Sequence, residues 1–465
     1  MVGFRAIVNK IEGKMGPYMS NLFLKLLWPA AFSFLFSRSV ITAYALKKRH
    51  FSGSNRKLVD KKITSQESEF VQSQSNTSII NLHLGQPSPH LLPMQEIARA
   101  STQRFTGENS MILQYGSGQG YLSFRKDLSK MLSGMYGTKI DPEELLISGG
   151  NSHAISLACQ VCLKKTGRKV VFVEDPSYFL AFNIFREQGA EIVPIEMDSD
   201  GVIVGQIERL LESGTIPAML YTIPVFHNPT GCSLSKSRLN RLMLLSQKYG
   251  FYIVADEPYQ FLNYENAQPQ VLSKMMSAPN GSSIISLGTF SKIFAPGLRL
   301  GWIHTSPSIV NDLLSTAVIQ SGGCINPLVA GLVHSAILQG TLQNHLERLV
   351  GTYQARKRAI CKALREKCPD IEFDEPDGGY FVWVKIPPDV DAARLLEVAR
   401  GRHGVAFTPG PRCSAAAAGG EGERFADRAR LSFAFYDARE LEEGIDRLAK
   451  ALAEVRHSSH KNDDK

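Results

Sequence analysis

Acidic residues are almost absent from the first 62 positions, where Glu12 and Asp60 stand against 12 lysines and arginines. That segment carries a formal +10 of a chain whose total is +8, so the remaining residues sum to −2. A body without a basic excess lacks the electrostatic footprint of a nucleic-acid binder. Cysteine is sparse too: the seven at 159, 162, 232, 324, 361, 368 and 413 are scattered and odd in number. Such usage excludes the disulfide framework of a small secreted domain and fits a reducing compartment. Cys159 and Cys162 form a C-x-x-C, but no second pair or histidine pair stands at zinc-ligand spacing, so two small buried residues on a helix are expected. In the basic segment, the apolar run Leu26–Ser37 is 12 residues long, contains Pro29 and is flanked by Lys25 and Arg38. A spanning helix needs about 20 apolar residues, so no stable membrane span is expected in the mature form.

What the chain does contain divides it. Residues 1–51 are rich in basic, apolar and hydroxylated residues and resemble an organellar transit peptide. Arg49-His50-Phe51-Ser52 resembles a mitochondrial processing site, which makes the mitochondrion the first expectation. A plastid, or membrane association through residues 22–46, are the alternatives. A polar linker is expected over 52–78 and a polar tail over 457–465. The length of 465 residues exceeds what one core supports, so two domains are expected, a larger over 79–335 and a smaller over 336–456. In the larger, short β-branched runs such as KVVFVEDP, AMLYTIP and FYIVADEP alternate with amphipathic helical patterns. That alternation predicts βα units and a mainly parallel sheet between helices, followed by a smaller α+β domain.

Ligands of open α/β sheets bind beyond the carboxyl ends of the strands. Those ends carry Asn151 and Ser152 after ISGG, Tyr178 after VVFVEDP, Asn228 in HNPTG after LYTIP, Asp256 and Tyr259 in DEPY, and Ser291 and Lys292 after SLGTF. A helix start with free amides, an aromatic plate, an amide, a carboxylate with a phenol, and a lysine in an apolar run form an unusual set. Pyridoxal 5'-phosphate asks for those partners: a lysine for its aldehyde, a carboxylate for its ring nitrogen, donors for its phenolate oxygen and a helix start for its phosphate.

From about residue 79 to 455 the chain resembles the class I/II aminotransferases of pyridoxal-phosphate fold type I, most closely the 2-aminoadipate and aromatic-amino-acid branch. The resemblance rests on LGQPSP, YGSGQGYLSFR, SGGNSHA, EDPSYF, HNPTG, DEPY, TFSKIFAPGLRLGW, GGYFVW and RLSF, in family order. It implies a seven-stranded, mainly parallel sheet and a transaminase working by a ping-pong cycle between an α-amino acid and a 2-oxo acid such as 2-oxoglutarate. It also implies that Lys292 binds the cofactor covalently and carries the proton, that Asp256 holds the ring nitrogen, and that Asn228 and Tyr259 face the phenolate oxygen. Tyr178 would stack on the ring. Asn151, Ser152, Thr289, Ser291 and Arg299 would meet the phosphate, with Tyr115 reaching across from the other subunit of a homodimer. Arg430 would clamp the substrate carboxylate, with Gly85, Gln86 and Asn228 beside it; no metal is implied. Two departures stand out: SGGNSHA replaces the commoner small-Gln-Gln-Ala form, and the segment PGPRCSAAAAGGEGERF before RLSF has no obvious counterpart. The rival readings are a C-S β-lyase on the same fold and a cofactor-binding sensor without turnover.

Overall fold

A computed structural model describes residues 78–106, 110–265, 271–275, 281–323, 325–416 and 424–463. The expected leader and all of the expected linker but Ser78 lie outside the described residues. The first strand, β1 (Ile80–Asn81), is followed by an eight-stranded sheet: β2 (Leu145–Ser148), β3 (Val170–Asp175), β4 (Glu191–Asp198), β5 (Gly201–Val202), β6 (Met219–Thr222), β7 (Tyr252–Asp256), β8 (Ile284–Thr289) and β9 (Gly301–Thr305). Their order is β2-β9-β8-β7-β6-β3-β4-β5. The pairs β3–β4, β3–β6, β6–β7 and β7–β8 are parallel, β9 runs against both β8 and β2, and β5 is a two-residue strand folded back on β4.

The period-two alternation of the strands sorts their side chains to two covered faces. Val171, Val173, Met219, Tyr221, Val254, Ile285 and Leu287 pack with Ile155, Ala158 and Val161 of the helix Asn151–Thr166 and with Phe182 and Phe185 of the helix Phe179–Glu187. Phe172, Leu220, Ile253, Ala255 and Ile284 face the helices Val204–Glu212 and Lys236–Tyr249 through Ile207, Leu211, Leu239 and Leu242. Burial on both sides explains why these strands read as nearly continuous apolar runs. Each such large side chain contributes about 1.5–3 kcal/mol by leaving water.

Beyond β9 the chain passes through the helices Pro307–Leu314, Ala317–Gly322, Pro327–Leu338 and Thr341–Lys367. The break expected at Gly322-Gly323 is present: Gly323 has φ +71, and a Cβ there would lie 2.3 Å from the Gly116 carbonyl oxygen. The second sheet is antiparallel, ordered β10 (Glu372–Phe373), β11 (Phe381–Lys385), β14 (Arg428–Ser432), β13 (Thr408–Pro409), and β12 (Val405–Ala406) pairs in parallel with β1. The closing helix Ala438–Asp463 continues into the segment expected to be a polar tail. Among the described residues no helix is long and apolar enough to cross a membrane.

Two features of this architecture aim at one place. The order of the large sheet puts β2 at one edge and β3 in the other half, so the connections leaving the strand ends diverge and open a crevice. Over it lies the segment Leu82–Gly85, stitched to β14 by Ser432 N–H to Leu82 O (2.8 Å) and Ser432 Oγ–H to Leu84 O (2.8 Å).

Candidate active site

Lys292 follows β8, and its half-buried side chain donates through Nζ to the Gly85 carbonyl at 2.8 Å, with Nζ 5.4 Å from the Tyr380 ring centroid. Burial, helped by Arg430 and opposed by Asp256, lowers its pKa to about 8. Asp256 is buried at the end of β7, where Oδ1 accepts from Asn151 Nδ2 at 2.5 Å and Oδ2 from the Tyr221 hydroxyl at 2.8 Å. Burial raises its pKa to about 6 even though both donors pull it down. Tyr259 is buried against Tyr380 and Phe381, with ring centroids 5.3 and 5.9 Å away, and burial pushes its phenol up while Asn228 opposes.

Arg430 occupies the middle of β14, opposite Trp383 and Thr408. Its guanidinium is buried, lies 4.2 Å from the Phe381 ring centroid, and donates to Asn228 Oδ1 (2.8 Å), Thr408 Oγ1 (3.1 Å) and the His83 carbonyl (3.1 Å), while Nε finds no partner. His83 Nδ1 sits 2.6 Å from Thr408 Oγ1, and burial, then Arg430 and Arg412, lower its pKa to about 4. Asn228 is placed from below. Buried Glu174 at the end of β3 accepts from Thr222 Oγ1 (2.5 Å) and the Ile223 amide (2.7 Å), and lies 3.2 Å from Nε2 of His227, the residue before Asn228.

The third wall is a cradle of backbone and hydroxyls. The helix Asn151–Thr166 begins after Gly150, whose φ of +83 and ψ of 174 suit glycine alone. A Cβ on Gly150 would stand 3.1 Å from Arg299 Nη2. Arg299, also at positive φ after the turn Pro296–Leu298, reaches Ser291 Oγ at 3.5 Å. Thr289 Oγ1 is committed to Ser291 Oγ (3.0 Å) and the Leu300 carbonyl (3.2 Å), so it shapes the loop that carries Ser291.

These contacts join Lys292 with Gly85, Asp256 with Asn151, Asn228 with Arg430, and Ser291 with Thr289 and Arg299. Tyr178 is half-buried beside Phe179, Ser152 is exposed at the helix start and Gln86 is half-buried on the overlying segment. Tyr115 stands apart from them at 82% exposure. The reading of strand ends passed over Tyr221, Thr408 and Glu174, which lie inside strands, over Phe179 and His227, which stand next to Tyr178 and Asn228, and over His83 and Tyr380, which lie after β1 and before β11 and so at no carboxyl end of the large sheet. His227 and Phe179 carried a signal, standing immediately beside Asn228 and Tyr178. Among the described residues, Asp256, Lys292 and Arg430 have no oppositely charged side chain within ion-pair distance. Buried charges without partners are costly and mark a place where a ligand supplies them.

Residues 77–448 match the family described as aminotransferase class I and II. The chain belongs to the class I and II aminotransferases. It is similar to the aromatic-amino-acid aminotransferase 1 of Thermococcus litoralis, with 30% identity over 391 residues covering 83% of this chain and 91% of that protein. The 2-aminoadipate transaminase of Thermus thermophilus is 29% identical over 385 residues, covering 83% and 92%. Among solved structures, the kynurenine aminotransferase of Pyrococcus horikoshii superposes with a TM-score of 0.73 at 28% identity, covering 88% and 96%, in a complex containing PMP. This aminotransferase is therefore a pyridoxal-phosphate enzyme of fold type I that transaminates amino acids. Its site fits the cofactor on its own chemistry. A buried carboxylate would suit a cationic ring nitrogen, an amine of lowered pKa would suit an aldehyde, and a glycine-shaped helix start with Arg299 beside it would suit a phosphate.

Proposed function

We propose that the enzyme takes aromatic or 2-aminoadipate-like amino acids as donors, hands the amino group to a 2-oxo acid such as 2-oxoglutarate, and uses Lys292 as its catalytic base. Pyridoxal phosphate supplies an aldehyde and an electron-accepting ring. Lys292 Nζ would hold the cofactor's aldehyde and would serve as the base that takes the proton from the substrate α-carbon. Asp256 keeps a proton on the ring nitrogen, its carboxylate oriented by Tyr221 and Asn151. Asn228 and Tyr259 donate toward the phenolate oxygen, and Tyr178 covers the ring. The amides of Asn151 and Ser152, the hydroxyls of Ser291 and Thr289 and the Arg299 guanidinium surround the phosphate. Arg430 receives the substrate α-carboxylate with its planar fork, with Gly85 and Gln86 beside it.

The carrying observation is the trio of Lys292, Asp256 and Arg430, each buried or half-buried without an ion-pair partner among the described residues, Asp256 and Arg430 complementary to a charge of the cofactor or substrate and Lys292 to the aldehyde. Replacing Lys292 with alanine tests it. The variant is expected to lose covalent cofactor attachment and at least about 10³-fold in turnover, and full activity in a panel of amino acids with 2-oxoglutarate or pyruvate would overturn the assignment. The same reading assigns a homodimer in which the exposed Tyr115 reaches the neighbouring subunit's phosphate. It also assigns the leader to mitochondrial import, checked by mass spectrometry of the mature N-terminus near Phe51.

A further inference from the structure

Beneath the site lies a carboxylate that the reaction as described does not touch. Glu174, next to last in β3, is buried and has no lysine or arginine within ion-pair distance among the described residues. Two of its partners are neutral donors, the Thr222 hydroxyl at 2.5 Å and the Ile223 amide at 2.7 Å, at and just beyond the end of β6. The third neighbour is His227, equally buried, whose Nε2 lies 3.2 Å from Glu174 Oε2 but outside strict hydrogen-bond alignment. A buried carboxylate held by neutral donors attracts any polarised N–H that faces it.

The other side of the imidazole is committed as well. The Thr230 amide donates to Nδ1 at 3.3 Å, and the Thr230 hydroxyl stands 2.9 Å from the same nitrogen. A nitrogen that accepts from an amide carries no proton, so the ring proton is on Nε2, the side of Glu174. The backbone closes around this ring: the His227 amide donates to the Cys232 carbonyl at 2.8 Å and the Gly231 amide to the His227 carbonyl at 2.7 Å. Phe226 enters the turn at φ +48, a left-handed conformation that an aromatic residue keeps only when its surroundings fix it. Asn228 leaves the turn with Oδ1 on Arg430 (2.8 Å) and a hydrogen bond to the Tyr259 phenol, both on the side of the site. What aims it from behind is the turn that His227 organises.

We propose that His227 is a positioning residue for the cofactor: pinned between Glu174 and Thr230, it aims the Asn228 amide at the phenolate oxygen. The inference rests on the reading of Asn228 as a partner of that oxygen. Histidine suits the task because its rigid ring carries a donor and an acceptor on opposite sides, so one side chain ties the end of β3 to the turn. A donor at the phenolate oxygen favours the form of the bound cofactor that has lost its proton, so a loosened Asn228 raises the pH at which the cofactor's visible absorbance changes.

The test compares the holoenzymes of the wild type, N228A, H227A, H227Q and T230V by the midpoint of that absorbance titration, the dissociation constant of the cofactor and the thermal midpoint. N228A removes the donor and sets the largest upward shift. H227A is expected to raise the absorbance midpoint by at least about half of that shift and to weaken cofactor binding several-fold. H227Q, whose amide still offers Glu174 a donor, is expected to recover most of the wild-type midpoint; a value no lower than that of H227A removes Glu174 from the device and overturns the proposal. An H227A enzyme that loses thermal stability but keeps the wild-type midpoint marks a purely structural histidine and overturns it too. Should H227A not fold, T230V decides: it removes only the hydroxyl beside Nδ1, a smaller upward shift is expected, and a wild-type midpoint overturns the proposal. An unshifted midpoint in N228A itself overturns the reading of Asn228, and the inference with it.

Discussion

Asp256 illustrates the tension that a catalytic carboxylate creates at the level of one residue. Its two donors, Asn151 and Tyr221, favour the anion, yet burial prevails and leaves the pKa at about 6. A raised acid favours the protonated fold, so the cofactor-free enzyme keeps its full stability below the unfolded value near 4. It loses up to about 3 kcal/mol as pH rises through 6. Asp256→Asn removes that titration. Urea unfolding of the cofactor-free protein is expected to show the wild type weakening more steeply between pH 4 and pH 6 than the variant, in which buried Glu257, raised to about 7, still titrates, while turnover falls by orders of magnitude. Lys292 gives a prediction of opposite use. Only the neutral amine attacks an aldehyde, so covalent capture of added pyridoxal phosphate should accelerate as pH rises toward about 8 and level off above it, as followed by absorbance. Tyr221→Phe removes one donor to Asp256 and is expected to raise the carboxyl's pKa further, costing about 1–2 kcal/mol of transition-state stabilisation, read as kcat/KM.

At the scale of elements, the site depends on connections that hold backbone in unusual shapes. Gly150 is the clearest. An alanine there carries both a disfavoured φ and a Cβ pressed against Arg299, so Gly150→Ala is expected to destabilise the protein by about 1–3 kcal/mol and to weaken cofactor affinity, measured by thermal unfolding and by cofactor titration. Such elements also explain what could be read from the sequence. Strand-end residues announce themselves, because a polar side chain following an apolar run has few structural reasons to be there. The resemblance implied seven strands in the main sheet, which has eight, and β5 has only two residues and so no periodicity to detect. Tyr221 and Glu174 were hidden for the opposite reason. Both sit within apolar strands, and their partners are 35 residues away for Tyr221 to Asp256 and 48 for Glu174 to Thr222. The contact of Arg430 with the His83 carbonyl spans 347 residues, a separation that only the stitching of Leu82–Gly85 to β14 resolves.

Across the whole molecule, the chain closes on itself: β1 pairs with β12, and the segment after it supplies carbonyls to both Lys292 and Arg430. Of the ten exposed large hydrophobic side chains among the described residues, five, Met94, Phe105, Met111, Leu113 and Tyr115, lie in one stretch between residues 94 and 115. A dimer seated there would bring Tyr115 to its partner's site. Sedimentation should then report a dimer, and Tyr115→Phe should weaken cofactor affinity several-fold. A mixture of Tyr115→Phe and Lys292→Ala subunits should recover one site containing both wild-type residues. Finally, Asn228 Oδ1 accepts from Arg430 on one side, and in the function proposed above its amide would donate to the phenolate oxygen on the other. The two ligand positions thus share a single side chain whose orientation neither can set alone. Occupancy of one must alter affinity for the other by the same factor in both directions, so a carboxylate inhibitor on Arg430 should change the dissociation constant of the cofactor as much as the cofactor changes that of the inhibitor.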